Sequence, residues 1–397
     1  MVRIPAARAH MLRNPTLEMP GANMNQNYGE GGCLPNLQHE MSADMIFGLD
    51  ASLKEVRTHL RRWFNQVPSN QELFEPYALS LFRWQVHHNS VYHRFVTGMG
   101  VVPESVDHVR DIPCMPVEMF KRHAVQSGTW TPVHAFRSSG TSHESMRATH
   151  WLDADAMSWY RDVSRRAWQL QWGLGVEGWD WLALLPGYTG RDDASLLTMV
   201  QDFMGPDIAE DRMLMDRHPL WNDMLLGYQP ADGRRLVMVG VTWAILDWLE
   251  GPHAPSRELV NHLRQIHPIL LETGGMKGRG EEPIRDEVQT RYRTALPGVD
   301  FASEYGMTEL MSQAYAIDGI HHNFPPWMRP IVRDARDPRC ALPEGRTGRL
   351  DIIDLANVHS CAFLATSDLA KWTSHGLLVQ GRVDHSEVRG CSLLANG

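Results

Sequence analysis

Residues Glu304-Tyr305-Gly306-Met307-Thr308-Glu309 set a hydroxyl beside a carboxylate just beyond a turn-forming glycine. Magnesium-assisted phosphate chemistry uses that pairing: the hydroxyl bonds a phosphate oxygen and the carboxylate holds the cation that offsets developing charge. Far upstream, Ser138-Ser139-Gly140-Thr141-Ser142 has the make-up of an anion-binding loop, with small residues that admit close backbone approach and several hydroxyls. Six residues alone prove little. The two segments together point to a site that handles a phosphorylated ligand.

Working outward, the 397 residues suffice for one large or two medium domains, and 43% apolar composition supports a sizeable core. Lys plus Arg number 38 against 47 Asp plus Glu, a formal charge of −9. That balance argues against a broad electrostatic grip on nucleic acid or anionic lipid and favours small ligands. The longest apolar run, Leu236 to Leu249, is interrupted by Asp247 and is too short to span a bilayer. Near the amino terminus, Arg3, Arg8 and Arg13 occur without an apolar stretch of secretory length. Five cysteines, Cys33, Cys114, Cys340, Cys361 and Cys391, show no paired spacing, which argues against a disulfide framework and a zinc knuckle and fits a cytoplasmic protein. The pairs His87-His88 and His321-His322 lack companions at ligand spacing. Fourteen Trp and 21 Met predict a soft, aromatic-rich core.

Residues 1–45 lack sustained periodicity and read as an extension, 46–380 as the core, and 381–397 as a short tail. The Ser52 to Glu55 spacing is a capping box ahead of Leu53, Val56, Leu60, Trp63 and Phe64 at helical intervals. Further helices are predicted from Asn70 to about Phe95, from Asp153 to Gly173 and from Ser256 to Ile266. Trp181 to Pro186, Leu236 to Val241, Ile269 to Leu271, Leu350 to Leu355 and Ala362 to Ala365 have strand length and turn-forming flanks. Strands alternating with helices predict an α/β fold, with the ligand beyond the carboxyl ends of the strands.

With these motifs in order, the chain resembles the adenylate-forming enzymes, which include acyl-CoA synthetases, luciferases and peptide-synthetase adenylation domains. The resemblance covers roughly residues 110 to 391. Its phosphate loop corresponds to Ser138-Ser139-Gly140-Thr141, its adenine-side glycines to Gly274-Gly275, its aromatic and Thr-Glu signature to Glu304-Tyr305-Gly306 and Thr308-Glu309, its ribose-binding acid to Asp368, and its second ribose contact to Arg382. Ile112-Pro113 through Phe120-Lys121, Thr273-Gly274-Gly275-Met276-Lys277 and the tail Ser386 to Leu393 bring it nearest to the bacterial acyl-protein synthetases. Those are the fatty-acid activating subunits of bioluminescence and their relatives in phenazine and O-antigen biosynthesis.

The resemblance implies a large adenylate-forming domain of layered mixed sheets and helices without the mobile C-terminal domain of larger relatives. It also implies ATP and magnesium as cofactors, with Thr308 at the α-phosphate, Glu309 on the metal and Lys277 standing in for the cation that the mobile domain would bring. The substrate class is a carboxylic acid, fatty or aromatic, since a Trp-rich pocket suits either. Attack of the carboxylate on the α-phosphate gives an acyl-adenylate and pyrophosphate. In the family a Cys-containing tail then takes the acyl group as a thioester and passes it to a partner reductase or acyl-acceptor protein. Cys391 stands in that position here, nine residues beyond Arg382, and an extended chain of that length spans about 30 Å.

Each residue also has a plainer reading. Glu304 and Glu309 suit the start of a helix, Asp368 can cap a turn, Arg382 can form a surface ion pair of small value, and Cys391 can be an inert thiol. The phosphate loop departs from the family pattern at Ser142-His143-Glu144, where a further Thr and Gly are usual. Three functions remain open on these grounds: an acyl-protein synthetase that loads Cys391, an adenylating enzyme of secondary metabolism that uses an external acceptor, and a silent nucleotide- or acid-binding subunit.

Overall fold

The computed structural model describes residues 45–66, 71–139, 147–205, 212–213, 218–231, 233–274 and 285–382, with backbone alone for 218–220 and 382. The extension at 1–44 and the tail from 383 onward lie outside the described residues.

Strands β1 (Met115–Pro116), β2 (His134–Arg137), β3 (Thr149–Leu152), β4 (Trp179–Leu184), β5 (Arg235–Val241), β6 (Ile269–Thr273), β7 (Asp300–Tyr305) and β8 (Ala314–Ala316) are followed by β9 (His321–His322), β10 (Met328–Arg333), β11 (Thr347–Asp354), β12 (Phe363–Thr373) and β13 (Gly376–Arg382). A five-stranded sheet runs β4-β5-β6-β7-β8. Its first four strands are parallel and β8 closes the edge antiparallel. Parallel neighbours need crossover connections, and helices supply them: Ser195–Met204 and His218–Gly227 before β5, Thr242–Glu250 and Arg257–Ile266 before β6, Arg285–Ala295 before β7. Covered on both faces, β4 and β6 are buried along their whole length, which is why their sequences lack a polar-apolar alternation.

A second sheet runs β10-β11-β12-β13-β9, with β1 added parallel to β12. The β12–β13 register shifts between Leu369 and Ala370, so Gln380 bulges out one residue from Gly381, whose φ of 112° suits glycine. That irregularity sits next to the Asp368↔Arg382 pair. A short β2–β3 hairpin flanks the 138–148 segment.

The Ser52 capping box is present, with Ser52 and Glu55 bonded reciprocally ahead of Leu53–Phe64. Asp153 and Gly173 cap the helix Ala154–Trp172, and Ser256 caps Arg257–Ile266. The single helix expected up to Phe95 is instead two, Phe74–His88 and Ser90–Gly98. Asn89 breaks it by turning extended and accepting from the Val91 and Tyr92 amides at 3.1 and 3.0 Å. The apolar run from Leu236 to Leu249 is divided at Val241–Thr242 into a strand and a helix. Trp63, Trp84, Trp168, Trp221, Trp248 and Trp327 are fully buried, so the aromatic core expected from composition is real. Cysteine spacing was a poor guide at one position: Cys340 is disulfide-bonded. Pairing depends on tertiary proximity, which spacing along the chain does not encode. Cys114 and Cys361 are free and buried, and desolvation pushes the Cys361 thiol up to about 12, leaving it inert. No helix among the described residues is long and apolar enough to cross a membrane.

Candidate active site

β7 ends at Tyr305, and the chain then passes exposed Gly306 into a turn at Thr308-Glu309. Glu304 is therefore a strand residue, and the helix-start reading of its charge does not hold. The turn lies beyond the carboxyl ends of the parallel strands, where α/β sheets keep their ligands.

The turn is held from outside by the connection between β11 and β12. Asp354 Oδ2 accepts from the Met311 and Ser312 amides at 2.8 and 3.0 Å, and its Oδ1 accepts from the Ser312 hydroxyl at 2.7 Å and the Ala356 amide at 3.1 Å. Asn357 Nδ2 donates to the Glu309 carbonyl at 2.8 Å, and His150 Nδ1 lies 2.9 Å from the Thr308 carbonyl. The residues 356–361 that supply this support are all buried. Gln85 donates to the carbonyls of Asn357 and Val358, and Asn89 to that of Ser360. Buried hydrogen bonds of this kind hold the turn's backbone in one geometry.

On the near side of the turn, the Tyr305 hydroxyl donates to Asp368 Oδ2 at 2.7 Å, which joins β7 to the second sheet. Asp368 is buried and stands opposite Arg382 in the β12–β13 register. Glu304 is buried as well, and Thr273 Oγ1 donates to its Oε2. Burial pushes the Glu304 carboxyl up to about 7, with the Glu272 charge adding to the effect. A Cβ at Gly306 would run into Glu304 Oε1, so any larger residue there has to shift that carboxyl.

Ser138 pairs with Ala148 through its amide, 3.0 Å, and its Oγ accepts from the Ala148 amide, also 3.0 Å, closing the base of the predicted phosphate loop. Arg147 donates to the Ser138 carbonyl and to Asp193, which Arg191 also engages. Ser138 and Ser139 are thus at the loop's root, while Gly140, Thr141 and the departures Ser142-His143-Glu144 lie outside the described residues. Gly274, at a φ of 65°, follows β6 and accepts from Thr242 Oγ1 at 2.5 Å. Gly275, Lys277 and Cys391 lie outside the described residues.

No protein-family model matches the chain, and no curated protein matches it in sequence. In structure it aligns with 2-hydroxyisobutyryl-CoA ligase in complex with 2-HIB-AMP and CoA in the thioesterification state, at a TM-score of 0.56 and 13% identity, over 80% of this chain and 69% of that one. The chain has the fold of an adenylate-forming ligase. The same ligase in its postadenylation state with 2-HIB-AMP aligns at a TM-score of 0.53 and 14% identity, again over 80% of this chain and 69% of that one. At such identity the fold is what is shared.

Within this adenylate-forming fold, the residues present suit a nucleotide. A carboxylate steadied by Tyr305 offers acceptors to vicinal hydroxyls, exposed glycine backbone admits close approach, and the Thr308-Glu309 turn pairs a hydroxyl with a second carboxylate. Glu309 and Asp368 suit a hard cation or hydroxyl donors in chemistry. Sequence reading missed His150, Asp354, Asn357 and His359. Their signal was weak, because a residue that acts by holding a backbone carbonyl carries no motif of its own.

Proposed function

We propose that this protein activates a carboxylic acid with ATP, forming an acyl-adenylate, and then hands the acyl group to a thiol. The observation that carries the reading is the Tyr305–Asp368 hydrogen bond beside the buttressed Thr308-Glu309 turn. It ties an acceptor suited to ribose to a turn suited to phosphate, across the gap between two sheets. The acid's carboxylate oxygen forms a bond to the α-phosphorus while the bond to the bridging oxygen breaks, and pyrophosphate leaves. Ser138, Ser139, Gly140 and Thr141 cradle the departing phosphates and Gly274-Gly275 border the adenine, while Glu304-Tyr305-Gly306 frame the nucleotide. Asp368 and Arg382 hold the ribose. Thr308 bonds the α-phosphate, and Lys277 adds a cation. Magnesium, held by Glu309, supplies charge compensation when bound.

The acceptor is Cys391 or the thiol of a partner protein, which places the protein among acid–thiol ligases of the acyl-protein synthetase kind. ATP–pyrophosphate exchange across fatty, hydroxy and aromatic acids tests the reading. Exchange that requires both an acid and Glu309 supports it, and silence with every acid in the wild type refutes it. Retention of radiolabelled acyl group by the wild type and its loss in Cys391→Ser would assign the first acceptor.

A further inference from the structure

His150 lies on β3 and His359 in the buried 356–361 connection, and the two imidazoles stack at 5.0 Å with an interplanar angle of 3°. Their Nε2 atoms are 3.1 Å apart, and His150 Nδ1 is 2.9 Å from the Thr308 carbonyl. A carbonyl accepts only, so His150 carries its proton on Nδ1. A neutral His150 then presents its Nε2 lone pair toward the His359 ring.

Burial keeps both rings neutral. Desolvation holds His150 down to about 4 and His359 well below the ordinary histidine range, with the Arg57 charge adding to the effect on His359. Phe120 packs edge-on to His150, Trp130 edge-on to His359, and the Trp151 carbonyl also bonds His359. No carboxylate is among the groups that act on either ring.

Resting on the adenylation reading, we propose that His150 is a positioning residue for Thr308: it fixes the Thr308 carbonyl from β3, and His359 fixes the His150 ring. The reacting edge is then locked from two sides, because Asn357, two residues before His359, holds the next carbonyl, that of Glu309. The same pair joins the root of the phosphate loop to the turn, since His150 follows Ser138's partner Ala148 by two residues. A displacement of either loop is transmitted to the other through one ring.

The test compares His150→Asn with His150→Gln. The Asn amide puts an N–H near the former Nδ1 and keeps the Thr308 carbonyl bonded; the Gln amide reaches toward His359 and leaves that carbonyl unbonded. In ATP–pyrophosphate exchange the Asn variant is expected within a few-fold of wild-type kcat. The Gln variant should lose about 100-fold in kcat, the scale of a misplaced reacting group, with the KM for acid unchanged. Equal kcat in the two variants overturns the assignment. Should the wild type be silent with every acid, the adenylation reading fails, and amide hydrogen exchange over Thr308–Ser312 still decides this inference. Slow exchange in wild type and Asn with fast exchange in Gln sustains it, and equal protection in all three overturns it.

Discussion

The Tyr305 hydroxyl donates to Asp368 Oδ2 at 2.7 Å, joining the carboxyl end of β7 to the middle of β12 across 63 residues of sequence. A phenol that donates to a carboxylate fixes which way the carboxylate faces, and a hydrogen bond to a charged group contributes about 1.5–3 kcal/mol. Tyr305→Phe is therefore expected to raise the KM for ATP about tenfold, the equivalent of about 1.4 kcal/mol. Asp368→Asn should weaken ATP as well, and the double variant should be less impaired than the product of the two single effects. Fully multiplicative effects in that cycle would show that the pair does not act as a unit.

Glu304 makes stability depend on pH. Its folded-state carboxyl sits at about 7 against 4.5 for the ordinary group, so the fold binds the proton more tightly than the unfolded chain does. The favourable contribution is complete below about pH 4.5 and is lost as pH rises through 7, amounting to about 3 kcal/mol. Glu304→Gln removes the titrating group. Its melting temperature should exceed that of the wild type at pH 8 and approach it at pH 4.5; parallel curves for the two proteins would exclude this account.

A side chain at Gly306 has to displace the Glu304 carboxyl. Its would-be Cβ meets Glu304 Oε1 at 2.4 Å, and Thr273 restrains the Glu304 carboxyl from swinging away. Gly306→Ala is expected to cost about 1–3 kcal/mol by overpacking, read as a lower urea midpoint. Adding Glu304→Ala should recover most of that loss, and a failure to recover it would locate the strain elsewhere.

Asp354 organises the far side of the turn through four donors, including the Met311 and Ser312 amides. An asparagine there replaces one acceptor oxygen with a donor, leaving buried N–H groups unpaired at about 1–3 kcal/mol each. Asp354→Asn should lower stability by about 3 kcal/mol and lower kcat for exchange. Unchanged amide protection at Met311 and Ser312 would count against this role.

Much of the scaffold was legible because its signals are local. Ser52 with Glu55, Asp153 with Gly173, and Ser256 announce helix ends through side chains that bond their own turn. The apolar segments at Leu236 and Ile269 announce buried parallel strands. β7 was not legible: Phe301, Ala302, Ser303 and Glu304 mix apolar, small and charged residues, and the carboxyl at its end is tolerated only because Thr273 on β6 bonds it. Asn89 likewise reads as one polar residue inside a helical pattern until its contacts with Ser127 and Ser360 explain the break.

The sequence by itself determined the α/β class and the main helix and strand segments, since helix caps, apolar runs and turn residues act over a few positions. Tertiary structure alone decided which residues act on that turn. Tyr305 with Asp368, His150 with His359, and Asn357 with Glu309 come together only when separate sheets pack, through hydrogen bonds between residues 48 to 209 positions apart. Such contacts depend on the distance between elements, and no spacing along one chain specifies it.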